Sequence, residues 1–354
     1  MTRASALSDD LLRALAGTPA PSGGTWITRY TAPPRSTAHQ FLVMLKPELT
    51  AEATHREPDA APSGLLHRAL GRLEAGGVTI RAARLTTAAG LARRRLIEQQ
   101  YAVLNRVSRL GLEAVPAAGA ERLARLYPEA FAAEATGRRS ILGGHQLLDA
   151  VPGLTAYALD AFARNLPIEK VAAGVYALEM VLDGERMVVL NAFHPSQLDH
   201  FHRPGGQVVF LECLTDRPVA ELRREVIGAT DPAQAERGSV KELLHTEREA
   251  FRTWKVCTRL NGVHASPGAV EAMFTIQRCF SDDWGRLPLG DTQLGRGLLA
   301  AGLTEARIQA LEHNPQIEVD GTSGPLFDVT EDMPVDEAFD LVVQLLRQTP
   351  AGVR

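Results

Sequence analysis

The residues best suited to chemistry surround His264, set in NGVHASPG with Asn261 three positions before it and Ser266 two after. A neutral imidazole is a nucleophile near pH 7, and a phosphoryl group placed on its nitrogen stays reactive enough to be passed on. Such transfer needs cations and hydrogen-bond donors around the moving oxygens. Lys46, Arg224 and Lys241 can supply charge, and Thr230 and Asn261 can supply neutral hydrogen bonds. Each candidate also has a plain structural reading. Lys46 can be a strand-end lysine, Arg224 a solvated helix arginine beside Arg223, Lys241 a loop charge, and Ser266 the cap of the helix that follows.

Other groups point to less. His194, His200 and His202 lie in HPSQLDHFH, but no carboxylate or cysteine pattern accompanies them, and no metal site is expected. They read as a structural loop or as a loop near an acceptor pocket. Arg138 and Arg139, in GRRSILGGH, read as an anion-binding turn or a solvated loop. Cys213, Cys257 and Cys279 are far apart and form no CxxC pair, which argues against a disulfide framework and fits a reducing cytoplasm. A net charge of -4 gives no global positive field for nucleic acid or an anionic membrane. No run reaches the ~18 apolar residues of a membrane span, and the first ten residues carry no secretory pattern.

The elements that must position these side chains follow from hydrophobic patterning. QFLVML, residues 40–45, is a continuous apolar run that stops at Lys46-Pro47 and predicts a buried strand. Residues 50–62 read as a loop. Leu65, Leu66, Ala69, Leu70 and Leu73 share one helical face, and Gly76-Gly77 ends that helix. Residues 78–85 predict a second strand. A helix capped by Thr86 or Thr87 then runs through Tyr101 towards Leu110. Asp183-Gly184 between two apolar runs predicts a hairpin. Residues 207–214 form another strand, and 218–227 a helix with Asp216 as its cap. Residues 261–264 are a short strand before a helix over 268–280. Two further helical patterns cover 292–311 and 335–348. This order predicts an α+β fold, an antiparallel sheet covered by helices on one face.

Three blocks carry a family resemblance. FLVMLKPE resembles the opening strand and Lys-Pro of nucleoside diphosphate kinases. RREVIGATDPAQAERGSVK resembles their helix and nucleotide-binding loop. NGVHASPGAVEAMFTIQRCF resembles the segment bearing their active-site histidine. The blocks keep the family's order and cover about half the chain, and the resemblance implies a ferredoxin-like core. The domains expected are an N-terminal arm over 1–37, the core over 38–110 and 207–282, an insertion over 111–206, and a helical extension over 283–354. His264 falls on the phosphorylated histidine, Lys46 on a phosphate-binding lysine, and Tyr101 on the tyrosine near the histidine. Arg224 and Thr230, six apart, fall on phosphate ligands. Asn261 falls on an asparagine of the sugar and phosphate region, and Ser266 on the serine two beyond the histidine.

The resemblance implies ATP or another NTP as donor, with Mg2+ bridging its phosphates, and a nucleotide or specialised small molecule as acceptor. It implies a homo-oligomer as well. Three departures qualify it. Lys241 replaces an arginine and loses the bidentate fork. Thr275 replaces the glutamate that orients the imidazole. HASPG replaces HGSDS. Two alternatives therefore stand beside phosphotransfer: a nucleotide-binding regulator that has lost turnover, and a repurposed ligase or nucleotidyltransferase.

Overall fold

The computed structural model describes residues 3–17, 24–34, 38–55, 64–182, 184–251, 255–282, 285–319 and 321–348. Its strands, in chain order, are β1 Gly24–Thr28, β2 His39–Leu45, β3 Thr79–Thr87, β4 Ile141–Gly143, β5 Glu169–Ala172, β6 Val175–Leu182, β7 Glu185–Leu190, β8 Gln207–Thr215, β9 Val263–Ala265, β10 Gln316–Val319 and β11 Thr322–Pro325. The fold is mixed α+β, and the chain divides into two compact units, Met1–Leu91 with Pro204–Arg354, and Ala92–Arg203.

In the first unit five antiparallel strands run in the order β1-β3-β8-β2-β9. Alternation along each strand sorts the side chains between two faces. Phe41, Val43, Leu45, Ile80, Leu85, Val209, Leu211 and Val263 face a core shared with Leu66, Leu70 and Leu73 of the helix Leu65–Ala75. Burying each large aliphatic side chain there is worth about 1.5–3 kcal/mol. The opposite face is covered as well, where helices on one face alone were expected. Arg84 points to that side and donates to the carbonyl oxygens of Cys279 and Ser281, at the end of the helix Ala269–Phe280. That helix shares a second apolar cluster with the C-terminal helices Gln293–Ala300, Glu305–Ala310 and Val335–Gln348.

Several local expectations change. Residues 3–16 form a 14-residue helix, and β1 pairs with β3, so the N-terminal region is more than an arm. Pro47 starts a helix that runs to His55, because proline suits the first helical position. The remainder of the expected loop, 56–62, lies outside the described residues. Thr87 accepts a hydrogen bond from the Gly90 amide, as a cap would, but the helix after it breaks into three pieces. They are Ala88–Arg94, Leu96–Gln100 and Ala102–Leu110, and Arg95 between the first two has a left-handed φ of 51°. The helix after β8 is a short Val219–Glu221 turn running into a π-helical turn, Leu222–Ile227. Pro218 stands at its start and Asp216 does not cap it.

The second unit holds a separate four-stranded sheet, β4-β7-β6-β5, parallel only between β4 and β7. The hairpin read at 175–190 is present, with Leu182 opposite Glu185; Asp183 lies outside the described residues. Among the described residues no helix is long and apolar enough to cross a membrane.

Candidate functional site

Strand β9 is three residues long, and its alternation sends Val263 and Ala265 into the core and His264 to the other face, where it pairs in register with Met44. The strand is pinned at its start by residues just beyond β2. The Lys46 amide donates to the Gly262 carbonyl at 2.9 Å, and the Gly262 amide donates to Glu48 Oε1 at 2.7 Å. The Lys46 ammonium, almost wholly buried, donates to Asn261 Oδ1 and to the Arg259 carbonyl, both at 2.8 Å. It also lies 3.6 Å from Glu48 Oε1. Asn261 Nδ2 donates to the carbonyl oxygens of Thr230 and Thr258, each at 2.9 Å. Both faces of the Asn261 amide are thus used inside the protein. It acts as a bracket joining the Lys46 strand end to the loop that bears Thr230.

Lys241 comes from the opposite side. It sits in the first turn of the helix Val240–Thr246, which Ser239 caps by accepting from the Glu242 amide at 3.2 Å. Close approach of this turn requires Gly228. Its φ is 96°, and a Cβ there would lie 2.6 Å from Ser239 Oγ and 3.0 Å from Lys241 Cβ. Lys241 is buried, and no carboxylate of the described residues pairs with it. Burial, then the charges of Lys46 and Arg223, bring its ammonium down to about 8.

His264 is half-buried in this setting. Burial first, and then the positive charges of Lys46, Lys241 and Arg223, push its imidazole down to about 3. The ring is therefore neutral at physiological pH, and three positive charges act on it. That combination keeps the nucleophile unprotonated and offers charge to an incoming anion.

The candidate residues are not all brought together. The charges of Lys46 and Lys241 act on His264, and Asn261 is tied to Lys46. Thr230 takes part through its backbone carbonyl, and the residue itself is exposed. Arg224 points to solvent, where Glu225 and Glu236 hold it at 2.6 and 2.9 Å. Its neighbour Arg223 is the arginine whose charge reaches His264. Ser266 does not cap the following helix, whose cap position is Gly268. The Ser266 amide donates to the Leu42 carbonyl at 3.0 Å, and its buried hydroxyl has no partner among the described residues. Thr275 is turned onto its own helix, donating to the Glu271 carbonyl at 2.8 Å and accepting from Arg278. Tyr101 belongs to the second unit, where its ring lies 6.3 Å from that of Phe201.

Reading the sequence alone missed Glu48, which follows Lys46-Pro47 directly, and Arg223, which stands beside the arginine that was chosen. It also missed Glu331 and Asp332, which pair with Arg223 at 2.6 Å each. Elsewhere, His194 bonds to Gln197 at 3.0 Å and Arg138 pairs with exposed Glu185 at 2.8 Å. Among the described residues no three His, Cys, Asp or Glu side chains are grouped to hold a metal ion.

No protein-family model matches this sequence, and no curated protein matches it. Among solved structures it is similar to an NDP kinase from Pyrobaculum aerophilum, at 17% identity, over 69% of this chain and 96% of that one, with a TM-score of 0.30. A likeness that distant carries no assignment of fold or activity.

Proposed function

We propose that this chain is a phosphotransferase. More particularly, it is a nucleoside diphosphate kinase-like enzyme that moves the γ-phosphate of ATP or another NTP through a phosphohistidine at His264. The observation that carries this reading is a half-buried imidazole kept neutral, on which the charges of Lys46, Lys241 and Arg223 act. Strand order supports the fold part of it. Counting only β2, β3, β8 and β9 as first to fourth, the sheet reads fourth, first, third, second, all antiparallel, as in a ferredoxin-like core.

In the proposed step a lone pair on an imidazole nitrogen attacks the γ-phosphorus. The bond from that phosphorus to the β–γ bridging oxygen breaks, and its electron pair leaves with ADP. Lys46, Lys241 and Arg223 meet the charge on the equatorial and leaving oxygens. An acceptor oxygen then attacks the phosphohistidine, and the P–N electron pair returns to the ring. Mg2+ would arrive with the nucleotide, held by its phosphates. The acceptor is a nucleotide or a specialised small molecule.

A second reading, a nucleotide-binding regulator, draws on two observations. Asn261 spends both amide faces inside the protein, and Thr275 is turned away into its helix. Labelling separates the two. Incubation with γ-labelled ATP and Mg2+ should give an acid-labile label that His264→Ala abolishes. ATP binding with no label would favour the regulator, and label from α-labelled ATP would point to nucleotidyl transfer instead.

A further inference from the structure

We infer that Arg223, rather than Arg224, is the guanidinium that meets the transferred phosphoryl group, and that a turn of the C-terminal region holds it there through Glu331 and Asp332. This rests on the phosphotransfer reading of His264. Sequence spacing alone favours Arg224, six residues before Thr230. That count assumes an ordinary helix, and the chain does not make one. Residues Leu222–Ile227 form a π-helical turn, closed by the Gly228 amide donating to the carbonyl of Arg223, five residues back. A π turn holds more residues than an α turn, so it rotates the side chains before it relative to those after. The arginine that faces inward is displaced by one position.

The surroundings of the two arginines agree. The Arg224 side chain is 59% exposed and already shared by Glu225 and Glu236. The Arg223 side chain is 29% exposed, and its charge acts on both His264 and Lys241. Its NH2 lies 2.6 Å from Glu331 Oε1 and its NH1 2.6 Å from Asp332 Oδ1. A guanidinium has five N–H groups in a fixed fork, so these two bonds orient it and leave donors for an anion.

The carboxylates are delivered by a turn built against the His264 loop. The Asp332 amide donates to the Pro267 carbonyl at 2.9 Å. Gly268 has an ordinary extended backbone, yet a Cβ there would lie 2.4 Å from the Thr330 carbonyl oxygen. The segment after His264 is therefore shaped to admit this turn. Glu331 and Asp332 act as positioning residues. Their negative charge should also oppose an incoming polyphosphate, and that double effect gives a readout that a merely structural role would not.

The test uses the full chain and γ-labelled ATP, with the maximal labelling rate and the half-saturating ATP concentration measured separately. A fluorescent ATP analogue reports affinity in parallel, and a thermal melt confirms folding. Arg223→Ala should lower the labelling rate about 100-fold, the scale of losing one preorganised donor to developing charge. Arg223→Lys, which keeps the charge and serves if the alanine variant does not fold, should recover part of it. Arg224→Ala should stay within about threefold of the parent. The double variant Glu331→Gln with Asp332→Asn should lower the maximal rate about tenfold while ATP binds as tightly or more tightly. An Arg224→Ala loss as large as that of Arg223→Ala would overturn the assignment, and an unchanged double variant would overturn the positioning role. If the parent binds ATP but is never labelled, phosphotransfer fails and affinity decides. Weakening of tenfold or more in Arg223→Ala alone supports Arg223 as the phosphate contact, and equal weakening in both arginine variants overturns it.

Discussion

Lys241 offers a direct test through pH. Its ammonium is brought down to about 8 by burial and by two neighbouring cations, whereas an ordinary lysine titrates above 10. In the free enzyme the site should therefore lose the Lys241 charge across the alkaline range, and burial lowers the pKa of the Lys46 ammonium as well. At pH 9 roughly one-tenth of Lys241 remains protonated, and at pH 10 roughly one-hundredth. If that charge is required, kcat/KM for labelling by ATP should fall about tenfold at pH 9 and about a hundredfold at pH 10, since this parameter reports the free enzyme. Lys241→Arg should remove the part of the fall that Lys241 causes, because a guanidinium does not deprotonate there. The titration of this lysine would not itself unfold the protein. Between pH 8 and 10.5 the unfolded chain binds more protons at this lysine than the folded one, so its titration adds stability as pH rises. A profile that stays flat to pH 9.5, or one that falls equally in Lys241→Arg, would refute the role given to this charge.

Further outcomes follow from the same geometry. His264, brought down to about 3, binds fewer protons folded than unfolded between pH 3 and 6.5, so its contribution to stability is lost as pH falls through that window. Urea midpoints of the parent should therefore drop more steeply over that interval than those of His264→Gln. Lys46→Ala removes the buried ion pair with Glu48 and the hydrogen bonds to Asn261 Oδ1 and the Arg259 carbonyl, and should cost about 3–5 kcal/mol in denaturant unfolding. Thr275→Val removes the hydrogen bonds to the Glu271 carbonyl and from Arg278 and should cost about 1–2 kcal/mol while labelling persists. If labelling is lost in a folded Thr275→Val protein, Thr275 steers the imidazole after all.

The strands were largely legible because their signal is local. QFLVML stops at Lys46-Pro47 in both sequence and structure, and Val263–Ala265 needs only its alternation to aim His264 away from the core. Tertiary context decided the rest. Residues 24–28 carry only a weak strand signal, and their strand exists because β3 offers an edge to pair with. Residues 47–55 look like a loop because they are polar, yet Pro47 and Glu48 are a sound helix start. Arg223 and Arg224 are chemically identical, so only the π turn distinguishes them. Glu331 and Asp332 lie more than 60 residues after His264, where no local pattern ties them to it.

The strand order also sets the timing of the protein's own assembly. Strand β8 lies between β3 and β2, and without it neither of these has a neighbour on that side. Yet Gln207 follows Thr87 by 120 positions (207 − 87). At roughly 5–20 residues per second on the ribosome, β2 and β3 wait about 6–24 seconds before their shared partner is made. Over that interval QFLVML, almost wholly apolar, has the N-terminal helix Arg3–Ala16 and the helices on either side of Gly64 to shelter one face, and the other face waits for the helix Ala269–Phe280. The nascent chain should therefore be most dependent on chaperones while the second unit is being synthesised, and least once Thr215 has cleared the exit tunnel.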